Sequence, residues 1–550
     1  MIKYRRFVQY LFLFLFITLL GLATIDIIIA TDFFLKLDPA LMFVSAISAR
    51  SLTLDLLMVG LLLLVTLIFG RLFCSYICPM GTIIDFTDNY IKPKKYQLRL
   101  PIDLHYFKYY VLVFIFGAAL LGISLVYWVS PISLITRFFG LVLYPVITLI
   151  SGKIVEFIHP LADLLDLRTI MFLEIKNKRF DTQYFIIVYF ILIFFAAKFS
   201  PRFWCRYLCP SGAILALFSQ KPLIRRNVNQ DCTQCGVCSK KCPMNAIKKE
   251  KAHNTNHSNC IVCRTCEFIC PEKAIQFSFK TSRTNKTEVG NSDLKNLYAR
   301  RQFLLSGFAG MGTAAVSMTN IKTVTEVYGD SHLRTARLLR PPAALPEKEF
   351  LSLCVRCGEC IAICPSNTLQ PIWFQSGFLA AFSPVIVPRL KYCDPRCHRC
   401  ASVCPTGAIR SLSTSERIWA KIGTAIINRR KCLAWEYDKS CMVCDEVCPF
   451  DAVDFKIEPS HPYPVPRVIE DKCAGCGYCE HFCPVQNEPA ILITPMNALR
   501  LTKASYKAEG SSRGYHLRLK TEKEKFDTQD YQQENNNRDN NFLAPGFDQG

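Results

Sequence analysis

The 550 residues contain no P-loop, no dinucleotide or flavin fingerprint and no C-x-x-C-H haem-attachment motif. No other catalytic constellation emerges. These absences predict a chain that carries something, not one that converts a substrate at a site of its own. Winged-helix, zinc-finger and RNA-recognition patterns are missing too. The formal net charge of +21 is therefore not read as a nucleic-acid footprint, and nucleic acid is not an expected partner. The Lys and Arg are dispersed, and many flank apolar stretches, as in the inward-facing loops of membrane proteins.

What is present is unevenly spread. The chain is 51% hydrophobic, yet its second half is strongly polar. That asymmetry predicts a membrane part followed by a water-exposed part. Residues 7–30 form an apolar run behind Lys3, Arg5 and Arg6, with no small-residue cleavage site. It reads as a retained membrane helix with its N-terminus inside. Further spans are expected at 53–73, 108–128 and 183–199. Lys92, Lys94, Lys95 and Arg99 follow the second, and Arg202, Arg206, Lys221, Arg225 and Arg226 follow the fourth, both on the inner side. Lys176, Lys178 and Arg179 run against that topology, since they would lie outside. The apolar patches at 131–175 read as a re-entrant or interfacial helix or an extra crossing pair. Asp26, near the end of the first span, reads either as a quinone-site group, since intramembrane charges tend to be functional, or as a residue of the outer interface.

The 28 cysteines fall into two patterns with none left over. Four runs read C-x2-C-x2-C-x3-C-P: Cys232, Cys235, Cys238, Cys242; Cys260, Cys263, Cys266, Cys270; Cys354, Cys357, Cys360, Cys364; and Cys473, Cys476, Cys479, Cys483. Two more widen the first gap: Cys393, Cys397, Cys400, Cys404, and Cys432, Cys441, Cys444, Cys448. Three closely spaced thiolates suit three corners of a cubane, while the fourth belongs to the other cluster of a pair. Zinc sites show separated C-x2-C pairs, and disulfides lack such fixed repeats. The pattern predicts about six [4Fe–4S] clusters. In 225–280, Cys232, Cys235, Cys238 and Cys270 are expected to hold one, and Cys260, Cys263, Cys266 and Cys242 the other. For the later four runs two pairings stay open: neighbour with neighbour, or first with fourth and second with third. His398 follows Cys397, but the three-residue gap before it is not that of a haem site, and it reads as a surface or supporting residue.

The second pattern is an internal repeat. GRLFCSYICPMG carries Cys74 and Cys78, and PRFWCRYLCPSG carries Cys205 and Cys209. Each is an apolar span, then C-x3-C-P, then a helix start. Two such pairs at one membrane surface can form a four-thiolate site. The readings are a further cluster, another metal, a redox-active dithiol, or a structural turn with reduced thiols.

The chain divides accordingly: a membrane part at 1–224, a two-cluster domain at 225–280, a polar linker at 281–297, a span at 298–321, a four-cluster domain at 340–500 and a polar tail at 504–550 expected to lack structure. Arg300 and Arg301 precede a Gly/Ala-rich apolar run, the look of a twin-arginine export signal retained as an anchor. The fold class expected is a membrane α-helical bundle of four spans plus this fifth, with α+β bacterial-ferredoxin-like [4Fe–4S] domains.

With its two C-x3-C-P turns, the two following ferredoxin runs and SPISLITR at 130–137, the first part resembles NapH, the quinol-side subunit of periplasmic nitrate reductase systems. Residues 298–495 resemble NapG and MauM, exported polyferredoxins. The C-x3-C-P frame alone is also shared with NosR and CcoG. The resemblance implies a fusion of the two types in the inner membrane, its first ferredoxin domain cytoplasmic and its second periplasmic. It implies electron transfer from membrane quinol to a periplasmic reductase or cytochrome, as a component of an oxidoreductase system. The alternative it implies is an electron donor for assembly or maturation of a metalloenzyme, the NosR, CcoG or MauN type of role.

Overall fold

A computed structural model describes residues 2–24, 32–51, 54–90, 106–164, 177–180, 182–248, 251–279, 301–316, 338–374 and 377–520. Asp26, Lys92, Lys94, Lys95, Arg99, Lys176, Arg300 and the linker at 281–297 lie outside the described residues.

The first part is a set of apolar helices. Two of them are long and apolar enough to cross a membrane: Tyr4–Leu22 and Pro131–Ile158. The other expected spans are shorter. Helices cover Leu56–Phe69, Phe107–Leu120 and Gln183–Lys198, each below 18 residues. At ~1.5 Å per residue they fall short of a ~30 Å hydrocarbon core. The 131–175 region, left open above, begins as one continuous helix interrupted by a π turn at Phe139–Leu143. A further helix, Pro39–Ala49, was not foreseen; Asp38 caps it, its carboxylate accepting from the Ala40 and Leu41 N–H groups. The outer faces are apolar and exposed: Leu57, Leu61 and Leu64 on one helix, Tyr184, Val188 and Ile191 on another. Exposed apolar faces of this extent fit lipid rather than water.

The helix at 301–316 packs on Phe107–Leu120 through glycines. A Cβ on Gly310 would collide with the Phe114 carbonyl oxygen, and one on Gly117 with that of Gly307. Small residues allow this close approach of two apolar helices. The Tyr110 hydroxyl adds a hydrogen bond to Gln302 Oε1 at 3.0 Å.

The cysteine-rich parts repeat one plan three times. In the first, the strand Ile224–Val228 before one run pairs antiparallel with Ile275–Phe279 after the next, and Ile247–Lys248 pairs with Lys251–Thr255 between them. In the third, Thr424–Ile427 pairs with Ile491–Thr494, enclosing the hairpin Val453–Lys456 with Val465–Val468. In the second, an Ala344–Ile409 bridge encloses Leu369–Pro371 with Pro384–Ile386. Each closed pair of strands brings the run at its start back to the run at its end.

Order extends past 504, where the sequence led us to expect none. Tyr506–Ser512 is a helix with Tyr506 fully buried, and Leu517 and Leu519 are buried too. Glu416 supplies the reason: its carboxylate accepts from the Ser505 hydroxyl at 2.6 Å and from the N–H groups of Tyr506 at 2.6 Å and Lys507 at 3.2 Å. Those bonds satisfy N–H groups that a helix start leaves open.

Near the start of the second cysteine-rich part, Glu347 sits between Arg340 (Nε–Oε2 3.0 Å) and Arg500 (3.3 Å). Burial pushes its carboxyl up, but the two guanidinium groups outweigh burial and hold it below its ordinary value of 4.5. A depressed carboxyl contributes stability above its unfolded value and loses it as pH falls through the folded one. Glu347→Gln is expected to cost about 2 kcal/mol near neutral pH. That deficit should shrink as pH drops below about 4.5, and melts of both proteins across this range check it.

Candidate metal centres

The strand closures gather the cysteines into sets of four. Cys232, Cys235, Cys238 and Cys270 line one small cavity, and Cys242, Cys260, Cys263 and Cys266 line its neighbour. Further on, Cys448, Cys473, Cys476 and Cys479 line a third, and Cys432, Cys441, Cys444 and Cys483 a fourth. Cys404 has Cys354 among its charge neighbours, and Cys357 and Cys360 have Cys404, while Cys393, Cys397 and Cys400 have Cys364. In the later four runs, then, neighbour meets neighbour. His398 sits beside Cys397 at the start of the short Arg399–Ser402 helix, its Nδ1 buried without a hydrogen-bond partner among the described residues.

The thiol environments fit a cationic metal core. Burial pushes Cys260 up to about 12, against the Val262 N–H, which lowers it, with Cys263, Cys242 and Cys266 adding to the rise. Burial likewise lifts Cys393 to about 11. Four such thiolates need positive charge among them to coexist. Backbone N–H groups already point at several sulfurs: Ala246 at Cys242 (3.3 Å), Ala452 at Cys448 (3.4 Å) and Ala425 at Cys473 (3.4 Å). Arg417 Nη2 lies 3.3 Å from Cys393 Sγ, and Arg226 Nη2 lies 3.7 Å from Cys238 Sγ. Donors of this kind stabilise and tune cluster sulfurs. Among the described residues no three His, Cys, Asp or Glu side chains close on a single ion. Three cysteines from one run and the fourth from its partner run are the donor set that a cubane takes in a paired-cluster ferredoxin.

The C-x3-C-P repeat makes a seventh gathering. Cys209 has Cys205, Cys74 and Cys78 as its charge neighbours, and Cys78 has Cys74 and Cys205. Cys78 and Cys209 each stand just before a helix, Pro79–Tyr90 and Pro210–Phe218. Gly212 N–H donates to Cys209 Sγ at 3.2 Å, and Gly81 N–H bonds Cys78 in the same way. Two helix N-termini thus face the thiols, a setting that favours negative charge. A side chain on Gly81 would stand 2.8 Å from the Cys74 carbonyl oxygen, and one on Gly212 as close to Arg71 Nη2. The repeat's two arginines, Arg71 and Arg202, are fully buried beside the thiols. Arg71 Nη2 is 3.8 Å from Cys74 Sγ; Arg202 donates to the Cys74 carbonyl at 3.2 Å and pairs with Asp85 (Nε–Oδ1 2.6 Å).

Both ferredoxin parts are seated on the helices, at opposite ends. At one end Arg71 donates to the Ser258 carbonyl (3.1 Å) and Lys108 to Asn259 Oδ1 (3.0 Å), the two residues just before Cys260. Lys108 begins the Phe107–Leu120 helix; past its far end, Tyr127 donates to the Phe378 carbonyl (3.1 Å) and Trp128 stacks on Phe378 (5.3 Å). There Ser133 donates to the Val355 carbonyl and Arg137 to that of Arg356, both at 2.8 Å, and Lys178 to that of Cys364 at 3.0 Å.

A buried polar chain joins the four-thiol site to this second seat. Ser211, two residues after Cys209, donates to Asp38 Oδ1. Asp38 Oδ2 accepts from Ser130 Oγ at 2.6 Å, and Ser130 Oγ accepts from Ser133 N–H at 3.3 Å. Ser133 then bonds Val355, next to Cys354. The second part continues this order, since Cys393 N–H donates to the Cys476 carbonyl at 2.9 Å. In the sequence SPISLITR stands out only through the NapH resemblance, and Asp38 carries no functional sign of its own.

Comparison with known proteins agrees with this chemistry. A 4Fe-4S binding domain profile matches residues 53–95 and 182–229, the two C-x3-C-P segments, and a 4Fe-4S dicluster domain profile matches 224–283. Methylamine utilization ferredoxin-type protein MauM of Methylorubrum extorquens is 31% identical over 213 residues, 36% of this chain and 89% of that protein. Ferredoxin-type protein NapG of Escherichia coli is 37% identical over 172 residues, 29% of this chain and 71% of that protein. An uncharacterised protein of Methanocaldococcus jannaschii is 28% identical over 233 residues, 40% of this chain and 76% of that protein. No solved structure matches. Ferredoxin-type relatives, cluster-domain matches and gathered cysteine sets converge, and the chain belongs to the NapG/MauM family of ferredoxin-type iron–sulfur electron-transfer proteins.

Proposed function

We propose that the chain is a membrane-bound electron conduit in which a NapH-like helical part joins two polyferredoxin parts on opposite sides of the inner membrane. It takes electrons from membrane quinol and passes them to a periplasmic reductase. The observation that carries this reading is the four-thiol C-x3-C-P site lying between the two seats, linked to the second by the Ser211–Asp38–Ser130–Ser133 chain. An assembly factor working on one side only would not need that through-connection.

Each ferredoxin set is assigned one [4Fe–4S] cluster, and Cys74, Cys78, Cys205 and Cys209 a seventh. Clusters, when bound, supply one-electron carriers; the chain's residues set their order, exclude water and supply N–H and guanidinium donors. Oxidation of one quinol to quinone releases two electrons and two protons. The electrons leave singly, and the protons go to water. The exposed Cys235 at one extreme and the half-buried Cys432 and Cys441 at the other place the two terminal sets near solvent, where partners can approach.

Adding a short-tailed quinol anaerobically to the purified, membrane-reconstituted protein is expected to bleach its visible cluster absorbance and to bring up cubane EPR signals. If dithionite produces those signals and quinol produces none, the quinol-linked role is wrong. Deletion in cells separates the maturation reading: a partner enzyme left without its metal would support that reading against a conduit.

A further inference from the structure

A cavity of about 380 Å³ lies at the seam between the apolar helices and the second ferredoxin part. Its walls include Ile17 and Leu20 of the first helix, Phe139 and Leu143 of the π turn, and Glu359 and Ile363 beside the Cys360 set. The volume is that of a small-molecule site. The lining is apolar except for a few groups. Of these, the Thr136 hydroxyl is already bonded to the Ile132 carbonyl at 2.9 Å. Glu359 is different. It is 7% exposed, and its Oε2 is buried with no hydrogen-bond partner among the described residues. A buried polar atom left in that state costs free energy unless a ligand satisfies it. The π turn that shapes one wall is itself a feature that recurs at functional sites.

The surroundings narrow the occupant. From the cavity, the exposed apolar residues Ile147, Ile150 and Ile154 continue along one face of the Pro131–Ile158 helix. A lipid acyl chain would fill the cavity but leave Glu359 unsatisfied. A ring bearing a hydroxyl group and an apolar tail satisfies both. Glu359 also neighbours Cys360, so such a ring sits beside a cluster-holding set.

We infer that this cavity seats the ring of a quinol, whose hydroxyl donates a hydrogen bond to the buried carboxyl oxygen of Glu359 while its isoprenoid tail runs along Ile147, Ile150 and Ile154. The inference rests on the quinol-linked reading above and adds the place where quinol binds, on the side of the second ferredoxin part; its electrons enter at the Cys360 set, and the four-thiol site connects that entry with the first ferredoxin part. Leu143, in the π turn, and Ile17, on the first helix, line the site from two separate elements.

The test is photolabelling of the full-length reconstituted protein with an azido-benzoquinone carrying a decyl tail, followed by peptide mapping. Label is expected on the segments holding Ile17–Leu22 and Phe139–Tyr144. Filling the cavity with Leu143→Trp should lower labelling there at least about tenfold, and Glu359→Gln about tenfold or less. Iron content should stay unchanged in both. Ile17→Trp repeats the test from the other wall should Leu143→Trp fail to accumulate. Label on other segments, or full labelling in a cavity-filled variant that still holds its iron, overturns the site even if quinol reduces the wild-type protein. Failure of quinol to reduce the wild type overturns the functional reading instead.

Discussion

Replacing Cys74 with serine is expected to lower the iron content of the purified protein from about 28 to about 24 atoms per chain. The expectation follows from the gathering of four thiols that two remote segments, 131 residues apart, bring together between Cys74 and Cys205. Two helix N-termini, two glycine N–H groups and two buried arginines already surround them. A structural turn with reduced thiols would not need that much positive potential at one point. Serine keeps the shape, so the fold should persist and the six ferredoxin sets should remain loaded. Wild-type protein with about 24 irons, and a variant identical to it, would return the repeat to a structural role. Cys205→Ser should reproduce the loss, because the two segments contribute symmetrically.

The second large effect is expected at Asp38. Its carboxylate is fully buried and accepts four hydrogen bonds: from the Ser130 and Ser211 hydroxyls and from the Ala40 and Leu41 N–H groups. Leucine at this position would orphan all four donors. Each buried unsatisfied group costs about 1–3 kcal/mol, and two hydroxyls can turn to other acceptors, so a loss on the order of 4 kcal/mol is expected. Asparagine keeps one acceptor oxygen and should cost about 1–2 kcal/mol. The damage should be local in kind. Asp38 aligns Ser130 and, through it, Ser133, which holds Val355. Asp38→Leu should therefore loosen the second ferredoxin part from the helices, seen as faster protease release of that part at unchanged iron content. Equal protease resistance in wild type and variant would show that the seat does not depend on this chain.

The gathered cysteine sets were legible in the sequence because their signal is local. Four runs carry three cysteines within seven residues and a proline after the fourth, and the runs at Cys393 and Cys432 keep the C-x2-C-x3-C-P part of that pattern, which suits a cubane loop. The pairing of later runs was not readable, since it is decided by which strands close: Thr424–Ile427 on Ile491–Thr494, and Ala344 on Ile409. The seats were invisible for the same reason. Ser133 meets Val355 and Lys108 meets Asn259 across 222 and 151 residues. Asp38-Pro39 was a missed local sign, an N-cap followed by proline at the first helical position. Hydropathy located the apolar segments but not their breaks: within the run at 53–73 the α-helix Leu56–Phe69 ends at Gly70, whose φ of 77 turns the chain toward Arg71 and the π turn Phe73–Ile77 that carries Cys74.

The opposite placement of the two ferredoxin parts and the connection between them form the central claim, and vectorial electron transfer tests it most directly. The protein is reconstituted into sealed, quinone-free vesicles with ferricyanide trapped inside and a membrane-impermeant reductant outside. The account predicts steady reduction of the trapped ferricyanide by wild-type protein, falling to the level of protein-free vesicles with Cys74→Ser. Wild-type vesicles no faster than protein-free ones, or Cys74→Ser vesicles as fast as wild type, would contradict it.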